Sequence, residues 1–106
     1  MGSVVVARGE LWWGEAPDRK GRPYLIASRD AANQVMTRVL VAPITRRVRD
    51  LPSELAVGPD EGLPVASVAS FDNLQPFPKS MLTRRLGSLG PRLNELCRAA
   101  GATLDC

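Results

Sequence analysis

An arginine opens one apolar segment of this chain and a threonine closes another. Gly21-Arg22-Pro23 leads into Tyr24-Leu25-Ile26, and Ala42-Pro43-Ile44 ends at Thr45. A guanidinium stays protonated in proteins and carries a planar fork of donors suited to phosphate oxygens. A hydroxyl beside it can bond a further oxygen, so the pair suits a phosphodiester. The chain has no histidine, so acid–base work falls to carboxylates, hydroxyls or solvent. Its two cysteines, Cys97 and Cys106, match no metal-ligand spacing and, without histidine, make no zinc site of the usual kind. Neither a metal nor a cofactor is expected. The thiols read as one buried (Cys97) and one at a fraying terminus (Cys106), in a reducing cytoplasm.

The net charge is only +3, but 12 of the 14 cations are arginine and only Lys20 and Lys79 are lysine. Arginine recognises phosphate and stacks on bases, whereas lysine is a point charge. The cations cluster at Arg46-Arg47-Val48-Arg49 and at Arg84-Arg85. A solvated surface rich in arginine and a nucleic-acid contact both fit this charge pattern. The start Met1-Gly2-Ser3-Val4-Val5-Val6 lacks the basic beginning and long apolar middle of a signal peptide, and no apolar run approaches a membrane span. A soluble, cytoplasmic protein is expected.

Length and turn spacing frame these residues. At 106 residues the chain reads as one domain, 1–106, with a modest core. Short strands are expected over 9–13, 23–28, 38–45, 53–57 and 67–71, with a weaker one over 86–89. One helical turn is expected over 30–34 with Asp30 as its cap. The 38–45 segment is apolar enough for burial on both faces, and Pro43 within it implies an edge or a bulge. Near the end the period changes. Leu93, Leu96, Cys97, Ala100 and Leu104 recur at helical spacing, with Pro91 at the first helical position. Short strands plus one closing helix point to a small, strongly bent antiparallel sheet or barrel.

In order, Arg8-Gly9-Glu10-Leu11-Trp12-Trp13, Gly21-Arg22-Pro23-Tyr24-Leu25-Ile26, Ala42-Pro43-Ile44-Thr45, Leu51-Pro52-Ser53-Glu54 and Phe71-Asp72-Asn73-Leu74-Gln75 resemble a MazF/PemK (Kid)-type toxin from about residue 7 to 104. The resemblance implies an SH3-like barrel, a homodimer with RNA in a groove spanning both subunits, and a metal-independent endoribonuclease of a toxin–antitoxin system. The substrate is then single-stranded RNA: messenger RNA, with ribosomal and transfer RNA as other targets. A cognate antitoxin with an acidic, apolar tail is the second partner. Arg22 and Thr45 match the family's catalytic arginine and threonine, and Asp72 matches the acid–base aspartate of the Kid branch. Asn73 and Gln75 fall where members line the RNA groove. With Asp18, Arg46, Ser70 and Lys79 they complete the candidate RNA-binding set.

The chemistry is coherent. RNA is cut when its 2′-oxygen attacks the adjacent phosphorus, leaving a 2′,3′-cyclic phosphate and a 5′-hydroxyl. Arg22 suits the developing phosphorane charge and Thr45 an oxygen of the phosphate. Arg22 cannot be the base, so Asp72 is the better proton acceptor, facing away from Phe71 if the two alternate along a strand. Asp72 as a mere turn cap is the bland reading. Trp12 and Trp13 alternate faces, which leaves at most one for stacking. Ser53-Glu54 reads as a strand start. Two features depart from the family pattern. The first loop is short, leaving Asp18 as the only acidic residue close before Arg22. Ser70 stands where the Kid branch has an arginine, so the proton donor would be Arg22 or water. A CcdB-type gyrase poison on the same fold, or a non-catalytic RNA-binding barrel, are the competing readings.

Overall fold

The computed structural model describes residues 5–101. Seven strands form one curled antiparallel half-barrel: β1 (Glu10–Gly14), β2 (Arg22–Ile26), β3 (Arg38–Thr45), β4 (Glu54–Val57), β5 (Ser67–Ser70), β6 (Gln75–Pro78) and β7 (Leu82–Ser88). Their order is β4-β5-β3-β2-β1-β7, with β6 on β3. Two helices complete it, α1 (Asp30–Val35) and α2 (Leu93–Ala100), together with short 3-10 turns. The mainly β fold with a closing helix is the one expected from the sequence.

Strand alternation divides the core. Along β2, Leu25 enters one buried cluster while Tyr24 and Ile26 enter the other. Along β3, Ala42 and Ile44 join the first and Val39 and Val41 the second. Burial on both faces is what the continuous apolar run of β3 requires. The first cluster is closed by Leu96, Ala99 and Ala100 of α2. The second is closed by Phe77 and Leu82, with Tyr24 and Phe77 rings 4.6 Å apart between centroids.

Several boundaries differ from the sequence reading, each for a physical reason. Pro43 lies in a central strand, neither at an edge nor in a bulge. On one side of β3, β6 pairs residues 38–41 and β5 pairs residues 44–45, so the neighbour changes at Pro43. Because the Ala27 N–H donates to the Leu40 carbonyl on the β2 side, odd-numbered backbone groups of β3 face the β5/β6 side. The N–H that Pro43 lacks therefore falls in the seam. Strand β6 was not expected at all. Its Pro76 and Pro78 alternate along an edge strand paired only with β3, an arrangement that lets the missing donors face outward. Strand β7 starts at Leu82, earlier than the apolar 86–89 segment suggests, because the exposed edge residues Thr83, Arg84 and Arg85 hide it in sequence.

At the helices, Asp30 is the first residue of α1 and Arg29 its cap. The Asp30 carboxylate instead accepts the Arg8 N–H at 2.6 Å. Pro91 lies in a 3-10 turn (Gly90–Arg92) leading into α2, and Leu104 lies outside the described residues. Cys97 is half-buried and disulfide-bonded, which corrects the reading of a buried free thiol; Cys106 lies outside the described residues.

Arg92 fastens α2 to the sheet. It forks onto Glu95 at 2.8 and 2.9 Å, reaches buried Glu61 at 2.9 Å and donates to the Ala56 carbonyl at 2.7 Å. The hydrogen bonds from Arg92 pull the Glu95 carboxyl below its ordinary value, and the bond to Glu95, with that to Glu61, holds the Arg92 guanidinium above its own. Nearby, two backbones touch. A Cβ added at Gly62 would sit 2.0 Å from the Leu86 carbonyl oxygen, and Gly62 has φ +96°. Only glycine suits both conditions.

Candidate functional site

Arg22 and Thr45 meet because of strand register. The β2–β3 pairing runs Ile26 to Val41, Leu25 to Ala42 and Tyr24 to Pro43, so its continuation sets Arg22 opposite Thr45 at the open end of the sheet. A guanidinium nitrogen of Arg22 donates to the Ile44 carbonyl at 2.9 Å, which brings the fork beside Thr45. The Thr45 hydroxyl oxygen accepts the Arg47 N–H at 3.1 Å. That contact uses a lone pair and leaves the hydroxyl proton available to an incoming oxygen.

Arg22 and Thr45 line two open cavities together. One, of about 300 Å³, also holds Arg47, Arg49, Glu54, Ser70, Asn73 and Gln75. The other is formed with Arg19, Lys20 and Arg46. Thr45, Ile44 and Arg46 border a third cavity, of about 480 Å³, with Trp13, Val65 and Arg84. Thr45 thus stands where all three join.

Cations outnumber carboxylates around this junction, where Glu54 is the one acidic residue that lines a cavity. Among the described residues Arg22 bonds only the Ile44 carbonyl, and the guanidinium groups of Arg46, Arg47, Arg49 and Arg84 have no hydrogen-bonding or ion-pair partner. Elsewhere Arg85 pairs with Glu10 at 2.8 Å and Arg92 with Glu61 and Glu95. Burial pushes the Glu10 carboxyl up, but bonds from the Trp12 indole, Arg85 and the Ala7 N–H outweigh it, and its pKa lies below the ordinary 4.5. Cations left unpaired around one set of cavities attract an anion.

The other expected site residues fall in different places. Ser70, Asn73 and Gln75 join Arg22 and Thr45, with the Asn73 amide donating to the Ser70 hydroxyl at 2.9 Å. Arg46 borders the two neighbouring cavities. Asp72 lies in a 3-10 turn (Phe71–Asn73), not on a strand. The alternation argument for its orientation therefore does not apply. One Asp72 oxygen accepts the Ser53 hydroxyl at 2.6 Å, and the residue lines none of the three cavities, although its chain neighbour Asn73 lines one. Asp18 is exposed, 4.0 Å from Arg19, and lines none of the three. Lys79 is buried and its ammonium donates to the Asn33 carbonyl at 2.7 Å, so it is occupied in holding α1. That removes it from the RNA-contact set.

Glu54 is the residue that sequence reasoning passed over. Its carboxylate lines the 300 Å³ cavity and accepts the Arg49 N–H at 3.0 and 3.2 Å and the Leu51 N–H at 3.4 Å. Thr45 and Glu54 therefore tie down both ends of the basic loop between β3 and β4. Asp50 within that loop adopts φ 58°, a left-handed conformation that aspartate tolerates better than most residues. A glutamate five residues beyond Arg49 was the only trace of this clamp in the sequence.

Trp12 and Trp13 separate as alternation requires. Trp12 packs against the second core cluster, while Trp13 lines the 480 Å³ cavity. Among the described residues no three histidine, cysteine or carboxylate side chains gather as a metal site, and no helix is long and apolar enough to cross a membrane.

Comparisons with known proteins agree with this geometry. Residues 7–101 match the family described as PemK-like, MazF-like toxin of type II toxin-antitoxin system. The Mycobacterium tuberculosis protein named "Probable endoribonuclease MazF5" is 37% identical over 106 residues, covering 98% of this chain and 97% of the relative. Endoribonuclease MazF3 of the same species is 44% identical over 70 residues, 66% of this chain and 68% of the relative. Among solved structures, the M. tuberculosis toxin MazF-mt6 aligns with a TM-score of 0.79 at 36% identity, covering 92% of this chain and 99% of that one. A mycobacterial endoribonuclease in complex with its cognate antitoxin aligns with a TM-score of 0.79 at 26% identity over 92% of both chains. These matches support the ribonuclease reading and not the CcdB-type alternative. With a family match over nearly its whole length and a fold shared with MazF toxins, this chain belongs to the PemK-like, MazF-like toxins of type II toxin–antitoxin systems.

Proposed function

We propose that the protein is an endoribonuclease toxin that cuts single-stranded RNA at the Arg22–Thr45 pair, in the cytoplasm, as a homodimer held in check by a cognate antitoxin. The observation that carries this reading is a guanidinium and a hydroxyl that line the same two cavities, with Arg22 bonded to the carbonyl just before Thr45 and unpaired arginines around them. In the reaction the 2′-oxygen bonds to phosphorus, the phosphorus–O5′ bond breaks, and the proton of the 2′-hydroxyl passes to a carboxylate. The leaving O5′ takes a proton from water, while Arg22 keeps its charge.

Arg22 meets the charge that grows on the phosphorane oxygens, and Thr45 donates to one of them. Asp72 is the proton acceptor, because one of its oxygens takes only the Ser53 hydroxyl and the other keeps its capacity. Glu54 is less suited, since the Arg49 N–H already occupies both of its oxygens. Arg46, Arg47, Arg49, Ser70, Asn73 and Gln75 supply phosphate and base contacts. The antitoxin's acidic, apolar tail would fold onto the same cationic face.

The test is incubation of the purified protein with RNA in EDTA, followed by analysis of the ends. Cleavage with 2′,3′-cyclic phosphate and 5′-hydroxyl ends, and resistance of a strand with 2′-deoxyribose at the scissile position, are expected. Activity lost in EDTA and restored by magnesium would show a metal-dependent route and overturn the mechanism.

A further inference from the structure

The cavity of about 480 Å³ beyond Thr45 has no role in the chemistry above. Its walls are Trp13 and apolar side chains such as Leu63, Val65 and Leu86, and its rim carries Arg46 and Arg84. None of the residues lining it is acidic. Trp13 and Arg84 are register partners between β1 and β7, so a flat aromatic and an unpaired guanidinium lie side by side on one face.

The indole is held in place. Its N–H donates to Glu15 at 2.9 Å, and its edge lies on Gly21, where an added Cβ would meet the ring nitrogen at 2.5 Å. Gly21 immediately precedes Arg22, so the ring is anchored to the segment that carries the phosphate-binding arginine.

A rigid aromatic beside guanidinium planes, next to a phosphate site, is the arrangement that holds an unstacked base. The volume falls within the range of sites that bury small ligands. Because Thr45 and Arg46 border both this cavity and the phosphate site, the base it takes belongs to a nucleotide attached to that phosphate. We infer that this cavity is a nucleobase subsite, with Trp13 as the stacking platform, for one of the two nucleotides flanking the scissile phosphate. The inference rests on the ribonuclease reading and extends it from the phosphate to sequence recognition.

The test uses Trp12→Phe protein, in which Trp13 is the sole tryptophan. The cleavage site is first mapped on a long RNA. Short RNAs carrying it are then made intact, or abasic at either flanking nucleotide, each also in an uncleavable 2′-deoxy form. Binding of the intact uncleavable strand should quench Trp13 emission. One of the two abasic strands should fail to quench, and its cleavable version should lose roughly ten- to a hundredfold in kcat/KM, the scale of one base–aromatic stack.

Trp13→Leu should show the same loss on intact RNA and no further loss with the abasic strand. Since Trp13 also packs on Gly21, Val65→Trp, which fills the cavity from an exposed position, provides a second variant with the same expected pattern. If intact RNA is cut and both abasic strands are cut equally well, the subsite is overturned while the ribonuclease reading stands. If Trp13 responds to an acidic, apolar peptide but not to RNA, the cavity serves a protein partner and the inference fails. If no RNA is cut at all, the ribonuclease reading fails and takes the inference with it.

Discussion

Side chains around Thr45 divide by what each supplies, and their variants should divide in the same way. Arg22→Ala removes a fixed charge aimed at the phosphorane, and loss of one such donor costs roughly 10²–10³ in rate. Arg22→Lys should recover little, because the ammonium keeps the charge without the two-pronged geometry. Thr45→Val keeps the shape but loses both the acceptor for the Arg47 N–H and the outward proton, so it should lower turnover and loosen the loop. Asp72→Asn should bind RNA like the parent and cut it slowly. Glu54→Gln should do the reverse, raising KM more than it lowers kcat, because it weakens the clamp on Arg49 and Leu51. Steady-state kinetics on folded variants would separate the two carboxylates. If Glu54→Gln lost turnover at unchanged KM and Asp72→Asn did not, the proton acceptor would be Glu54.

At the scale of elements, close backbone approach and edge pairing make the sharpest expectations. Gly62→Ala would drive a Cβ into the Leu86 carbonyl and force a left-handed conformation on alanine. It should destabilise the fold by about 2 kcal/mol or more, measured by urea denaturation. On the β1–β7 edge, Glu10 has a pKa below 4.5 in the folded state. Its contribution is therefore present above about pH 4.5 and lost as pH falls through the folded value. Glu10→Gln should lower stability at neutral pH and shrink the difference from the parent in acid. A difference that grew on acidification would contradict the assigned bonds to Trp12 and Arg85. In sequence these elements were legible unevenly. Strands β2 and β3 stood out because their inner positions are apolar and buried on both faces, with polar residues only at their ends. Strands β6 and β7 did not, because an edge strand makes half of its contacts with water and can carry proline or arginine.

For the whole molecule, cationic surface and helix docking are the properties to measure. With four unpaired guanidinium groups around the cavities, single-strand binding should weaken with salt, with a log–log slope of about −3 if each contacts a phosphate. A slope near zero would argue against a phosphate-binding face. Arg92→Ala would leave the buried Glu61 carboxylate without its cation, and removing one partner of a buried pair costs roughly 3–5 kcal/mol. Unfolding should then come at lower temperature, with α2 the first element to lose protection in hydrogen exchange.

What the sequence determined by itself was local or additive: a small mainly β fold, one closing helix, an arginine-rich surface, and Arg22 and Thr45 at the ends of apolar segments. Periodicity and residue chemistry are properties of short windows, so they can be read without coordinates. The resemblance then assigned chemistry to those two residues. Only the tertiary structure decided that they stand opposite each other, because strand register is set by which faces are buried and not by either segment alone. It likewise withdrew Lys79 from the surface, since a lysine's exposure depends on whether a distant carbonyl, here Asn33, is brought within reach. It placed Glu54 and Trp13 at cavities that join at Thr45 through pairings between segments far apart in the chain. Such pairings leave no periodic trace in the residues that make them.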